Sequence, residues 1–232
     1  MDSVDLRGIR IYPASEPEEL IDFAVARKGI LVAVNAEKMA KATPELKSLI
    51  NDNIGYCDGS GVVIAARQAG AMNARKIAGC ELWLEIIRRK YTDSTFYIVG
   101  GRPDVFAATV KRLGEDFPGI RIVGARDGYF KTDDERMALI DDIAEKRPDF
   151  VFVAMGSPKQ EFLMADMLKR HKAVYQGLGG SFDVYTGRAK RAPKWWIEHN
   201  AEFMYRLLCQ PSRIKRDWVR IRFAWWLLFK KF

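Results

Sequence analysis

The chain has 232 residues, 48% hydrophobic and 29% charged, with 38 Lys+Arg against 30 Asp+Glu for a net charge of +8. That is ample for one sizeable hydrophobic core, and it excludes both a disordered chain and a bundle of membrane helices. Three widely spaced cysteines (Cys57, Cys80, Cys209) argue against a disulfide scaffold or a CxxC site, and two histidines (His171, His199) argue against a histidine-based metal centre.

The opening MDSVDLRGIRIY carries no apolar signal core, so the expected location is the cytosol. Short apolar runs then alternate with stretches of helical period. Strands are predicted at Gly29–Val34, Ile54–Cys57, Thr95–Val99, Arg121–Gly124, Phe150–Ala154 and Val174–Gly177. Helices are predicted at Glu37–Asn51, Gly61–Ala69, Cys80–Tyr91, Asp104–Asp116, Thr132–Lys146 and Lys159–Arg170. This alternation implies an α/β fold, a Rossmann-like, mostly parallel sheet with helices on both faces. No repeat, low-complexity segment or linker interrupts it. The composition changes once, near Gly187, which divides a catalytic-type body (1–187) from an appendage (188–232).

In open parallel sheets, ligands bind where the strands end, so the residues there matter most. They are Asn35-Ala36-Glu37-Lys38, Asp58-Gly59-Ser60-Gly61, Gly100-Gly101-Arg102-Pro103, Gly156-Ser157-Pro158-Lys159-Gln160-Glu161 and Gly177-Leu178-Gly179-Gly180-Ser181-Phe182-Asp183. Glycines let backbone amides approach a phosphate, and a helix start adds its positive end. Such turns suit a nucleotide or nucleotide-sugar pocket, although each could equally be only a tight turn. Neither GxGxxG nor GxxxxGK[ST] occurs, so nicotinamide and P-loop readings lack their fingerprints.

Asp58 stands out. A carboxylate at a strand end can remove a proton from a sugar hydroxyl, or it can simply cap the helix that follows it. Gln160 and Asn35 suit the orientation of sugar hydroxyls, or ordinary surface hydrogen bonds. Pro158 suits the first position of its helix, where Glu161 could do no more than complement the helix dipole. There is no DxD and no GxSxG, so a metal-independent pocket without cofactor is expected.

The last 45 residues hold twelve lysines and arginines against three acids, a net +9, which leaves residues 1–187 at −1. Five of the six tryptophans lie there too. Ile214, Trp218, Ile221, Trp225 and Leu228 recur at helical spacing, with Arg213, Arg216 and Arg220 on another face. A basic amphipathic helix of this kind, with Trp226 adding to its aromatic content, fits an anionic membrane surface. Its longest apolar run, Phe223–Phe229, is far short of the roughly 20 residues that span a bilayer. The alternatives are a stripe packed on the body and a nucleic-acid surface. Nucleic acid is disfavoured, because it does not require a strongly apolar face. A homo-oligomer would hide that face in solution.

Taken in order, the segments Val34-Asn35-Ala36-Glu37-Lys38-Met39, Asp58-Gly59, Val99-Gly100-Gly101, Asp127-Gly128-Tyr129-Phe130 and Met155-Gly156-Ser157-Pro158-Lys159-Gln160-Glu161 resemble the WecG/TagA/CpsF family, glycosyltransferase family 26. So do Gly179-Gly180-Ser181-Phe182-Asp183, Lys190-Arg191-Ala192-Pro193, Tyr205-Arg206-Leu207 and Gln210-Pro211-Ser212-Arg213-Ile214-Lys215-Arg216. The resemblance runs from about Gly29 to Arg216. It implies an inverting, metal-independent transferase moving an N-acetylmannosamine-type sugar from UDP to an undecaprenyl-diphosphate-linked N-acetylglucosamine, with a β-1,4 linkage. It implies Asp58 as general base, with Gln160 and Asn35 positioning the sugars. Gly100, Gly101, Tyr129, Gly156, Ser157, Lys159, Glu161, Gly179, Gly180 and Asp183 would serve substrate binding. Arg191, Arg206 and Arg213 would reach the donor diphosphate as the appendage closes at the cytoplasmic face of the plasma membrane, where Trp218, Arg220, Ile221, Trp225, Trp226 and Leu228 would dock. Many relatives have threonine where this chain has Ala33. The Asn-Ala-Glu-Lys-Met form resembles the WecG branch, which implies the N-acetylmannosaminuronate donor of enterobacterial common antigen. Teichoic-acid-type N-acetylmannosamine transfer or glucose transfer stays open.

Overall fold

A computed structural model describes residues 1–190, Ala192, Pro193, Trp195, Trp196, Tyr205, Phe223 and residues 225–229. The chain opens with a small antiparallel ribbon, β1 (Val4–Asp5) and β2 (Arg10–Ile11), followed by α1 (Pro17–Arg27). Next come β3 (Gly29–Val34), α2 (Ala36–Lys41), α3 (Pro44–Asp52), β4 (Ile54–Cys57), α4 (Ser60–Gln68) and α5 (Gly79–Lys90). The second half is β5 (Thr95–Gly100), α6 (Pro103–Asp116), β6 (Arg121–Arg126), α7 (Asp133–Lys146), β7 (Phe150–Ala154), α8 (Lys159–Arg170), β8 (Val174–Gly177) and α9 (Ser181–Tyr185).

Six strands form one parallel sheet in the order β4-β3-β8-β7-β5-β6. Successive residues of its strands feed opposite faces. Ile30, Val32 and Val34 of β3, with Val151 and Val153 of β7, meet α3, α4, α7 and α8. Leu31, Phe150 and Phe152 point the other way, to α1, α5, α6 and α9. Both faces are therefore dry, which explains why these strands read as continuous apolar runs rather than alternating ones. The expected α/β, Rossmann-like architecture with helices on both faces is what forms.

Two predicted elements differ in detail. The single helix expected over Glu37–Asn51 is two, because Pro44 drives the preceding residue out of helical geometry. Thr43 is extended and its Oγ1 accepts the Leu46 N–H at 3.3 Å, starting α3 afresh. Pro158 is the N-cap of α8 rather than its first helical residue. The terminal ribbon and α1 were not anticipated. Tyr12, just past β2, donates its N–H to Gly55 O at 2.7 Å and so covers the β4 edge of the sheet.

The described part of the appendage touches the body. Phe223 and Trp226 are buried in the core on the α4 side, and the Arg7 guanidinium lies 4.0 Å from the Trp226 ring centroid. A side chain at Gly61 would meet Phe223 at 2.8 Å, and Gln68 Nε2 donates to Leu227 O at 3.3 Å, so this segment runs along α4. The expectation that Trp226 shares the outward face is thereby corrected. Helical spacing turns Phe223 and Trp226 inward and leaves Trp225, Leu228 and Phe229 exposed. Arg191, Arg206, Arg213, Trp218, Arg220 and Ile221 lie outside the described residues.

Candidate active site

The carboxyl ends of β3, β4 and β8 open into a cleft of about 610 Å3, closed on other sides by the starts of α5, α8 and α9 and by Lys190 and Tyr205. Asp58 follows β4 and lines this cleft. Its Oδ1 accepts the Gly79 N–H at 2.8 Å, and its Oδ2 takes a long hydrogen bond of 3.5 Å from Asn35 Nδ2. The capping alternative is therefore changed in an instructive way. The N-cap of α4 is Gly59 without a side-chain bond, and Asp58 instead satisfies the first turn of a different helix, α5, which has no side-chain cap of its own. That helix start adds its partial positive charge beside the carboxylate. Burial pushes the Asp58 carboxyl above the usual carboxylate range, opposed by the Gly79 N–H, the Asn35 amide and the charges of Lys38 and Lys76. A carboxylate made more basic yet still offered hydrogen bonds is well matched to accept a proton from an alcohol.

Asn35 serves two neighbours. Its Oδ1 caps α2 by accepting the Lys38 N–H at 3.0 Å, while its amide faces Asp58. Gln160, on the first turn of α8, is buried at 4% exposure. Its Oε1 accepts the N–H groups of Gly156 at 3.1 Å and Gly179 at 2.9 Å, and its Nε2 donates to Glu161 Oε1 at 3.3 Å. One side chain thus ties the glycine turns after β7 and β8 together. Gly177 makes room for it, since a Cβ there would stand 2.4 Å from Gln160 Nε2.

Of the other expected substrate contacts, Ser157, Gly179, Gly180 and Asp183 line the cleft. Gly156 sits behind it, tied to Gln160. Glu161 is a correction: it is 1% exposed and faces Lys38 rather than the cleft, because burying a carboxylate there requires a counter-ion. Lys159 is exposed and outside the lining. Gly100 and Gly101 belong to the neighbouring end of β5, where they pack on Ala154 and Gly128. Gly100 has φ +111°, and a Cβ there would strike the Ala154 carbonyl at 2.4 Å. Tyr129 stands 59% exposed on the β6–α7 loop. The cleft also contains residues the sequence reading passed over. Lys38, three residues past the β3 mouth, enters the cleft by its long side chain. Gly79 and Cys80 begin a helix that follows another helix, so a search of strand ends skips them. Among the described residues, no group of three or more His, Cys, Asp or Glu side chains could hold a metal ion.

The glycosyl transferase WecG/TagA/CpsF family matches residues 4–232, and the chain belongs to that family.

Proposed function

We propose that this glycosyltransferase moves N-acetylmannosaminuronate from its UDP-sugar to an undecaprenyl-diphosphate-linked N-acetylglucosamine, forming a β-1,4 linkage with inversion, in synthesis of a cell-surface polysaccharide of the enterobacterial common antigen type. The observation that carries the reading is the Asp58 carboxylate, which lines the cleft while the Gly79 N–H fixes it at 2.8 Å. As the acceptor hydroxyl oxygen attacks the anomeric carbon, its proton passes to Asp58. The bond from that carbon to the diphosphate oxygen breaks, and UDP leaves with the electron pair. The turns at Ser157 and Gly180 would face the diphosphate with backbone amides, the Gly179 N–H being held by Gln160, and Arg191, Arg206 and Arg213 would add charge, so that no metal is needed. Lys190, which lines the cleft, offers a cation to the donor's acidic groups. Tyr205 lines the cleft as well, so the appendage reaches the site it is proposed to close.

Docking is proposed at the cytoplasmic face of the plasma membrane. Trp225, Leu228 and Phe229 are exposed beside α4, whose Ile64 is 48% exposed between the two points of contact at Gly61 and Gln68. No helix among the described residues is long and apolar enough to cross a membrane. The test is incubation of the full chain with a panel of UDP-sugars, anionic vesicles bearing the lipid-linked acceptor, and EDTA. The uronate donor is expected to give product. Product from UDP-N-acetylmannosamine or UDP-glucose alone would redirect the donor assignment.

A further inference from the structure

A chain of polar contacts runs from Asp58 along the cleft, and at its centre is an ion pair of which Lys38 lines the cleft and Glu161 does not. Asp58 Oδ2 meets Asn35 Nδ2 at 3.5 Å, and Asn35 Oδ1 accepts the Lys38 N–H at 3.0 Å. Lys38 Nζ then donates to Glu161 Oε1 at 2.6 Å, and the same oxygen accepts Gln160 Nε2 at 3.3 Å. Gln160 ends the chain by gathering the Gly156 and Gly179 amides. The ion pair at the centre is nearly dry, with side-chain exposures of 9% for Lys38 and 1% for Glu161. The second oxygen, Glu161 Oε2, is buried with no protein partner. Burying an ion pair costs solvation that apolar residues of similar size would not lose, so mere stability is a poor reason for this one.

We propose that the Lys38–Glu161 pair is a positioning device that ties the Asp58 side of the cleft to the two glycine turns on the leaving-group side. Glu161 holds the Lys38 ammonium at the cleft wall and holds Gln160 in the rotamer that gathers both turns. Neither residue need touch the sugar. Around Asp58 stand Asn35 and Lys38 from α2 and its cap, Tyr56 on β4, Lys76 before α5, and Cys80 in the first turn of α5, while Asp183 and Lys190 lie elsewhere in the cleft. Within that set, Lys38 is a cation whose effective charge is fixed by a buried partner. Removing one member of the pair must therefore change the field at Asp58 in a direction set by the member removed.

The inference rests on Asp58 being the base, and the experiment separates the two. The pH dependence of kcat and the KM for the UDP-sugar are measured for the full chain and for Lys38→Met, Glu161→Gln, Lys38→Met/Glu161→Met and Asp58→Asn, each checked for folding by circular dichroism. In Lys38→Met the acid limb of kcat moves to higher pH, by about half a unit or more, because a cation favouring the Asp58 carboxylate is gone. In Glu161→Gln it moves to lower pH, because Lys38 is left uncompensated. In the double variant the limb returns to the wild-type position while KM for the UDP-sugar rises several-fold, because Gln160 has lost its anchor. Limbs that stay in place and a KM that stays constant overturn the proposal, whatever the loss of rate. Should a single variant fail to fold, the double variant, which leaves no unpaired buried charge, decides by its KM alone. Transfer retained by Asp58→Asn would instead overturn the base assignment itself.

Discussion

Replacing Gln160 with alanine tests the site's architecture without touching the proposed base. The side chain is 4% exposed and its Oε1 accepts two backbone N–H groups, at 3.1 Å from Gly156 and 2.9 Å from Gly179. A buried donor left without its acceptor costs about 1–3 kcal/mol, and both turns border an open cleft where water replaces part of that loss. The lower end applies to each, and lost packing against Gly177 adds to it, giving about 2–4 kcal/mol in all. In a domain of this size about 1 kcal/mol corresponds to roughly 2–4 °C, so Tm should fall by about 5–15 °C. The two turns, no longer tied, should also bind the diphosphate more weakly. Isothermal titration with UDP beside a thermal melt reads both effects. The Gln160→Glu variant separates them, since it keeps the acceptor oxygen but puts a second carboxylate 3.3 Å from Glu161 Oε1. Two like charges at that spacing repel once both are ionised, so the variant loses stability as pH rises. Unchanged Tm and UDP affinity in Gln160→Ala would refute the reasoning.

Three further outcomes are expected. Truncation after Ala189 abolishes transfer, measured by product formation, because Tyr205 and the appendage arginines are removed, and lowers Tm because Phe223 and Trp226 no longer cover α4; full activity would remove the closing role. Serine at Trp225, Leu228 and Phe229 lowers co-sedimentation with anionic vesicles with Tm within about 2 °C of wild type, whereas Trp226→Ala, at a buried site, costs about 2–4 kcal/mol in a thermal melt. Asp58→Asn gains stability relative to wild type as pH rises. Burial raises the folded-state pKa of Asp58, so its protonated form carries a stabilisation that is lost as pH climbs through that value, and asparagine has no such loss. Melts from pH 4 to 8 check the sign; a difference that shrinks with rising pH would contradict the burial argument.

What the sequence disclosed follows from local physics. β3, β7 and β8 match their predicted bounds because central parallel strands are buried on both faces and leave sharp apolar runs, and β4 matches because, although at the sheet edge, it is buried along its whole length. β6, at the sheet edge and half-exposed, runs two residues further, to Arg126. The strands of the terminal ribbon have two residues each, too few to show a period. At the site, Asp58, Asn35 and Gln160 were legible as polar residues at strand mouths. Their partners were not. Gly79 reaches Asp58 from a helix that no strand precedes, and Glu161 meets Lys38 across 123 residues of sequence. Such pairings are made by the sheet order, which sets β3 beside β8 and lets α8 pack on β3, bringing Glu161 to Lys38. In the appendage the spacing predicts an amphipathic helix, yet not which tryptophan turns inward, because that depends on the α4 surface it meets.

The most direct measurement compares transfer of N-acetylmannosaminuronate to the lipid-linked acceptor by the wild-type chain and by Asp58→Asn, in anionic vesicles with EDTA. Loss of a positioned general base typically costs about 10²–10⁴ in rate, or about 3–5 kcal/mol of barrier. The expected result is metal-free product from the wild type, and from Asp58→Asn a folded protein with wild-type UDP affinity and at least about a hundredfold less product. An Asp58→Asn protein that transfers at near wild-type rate would contradict it.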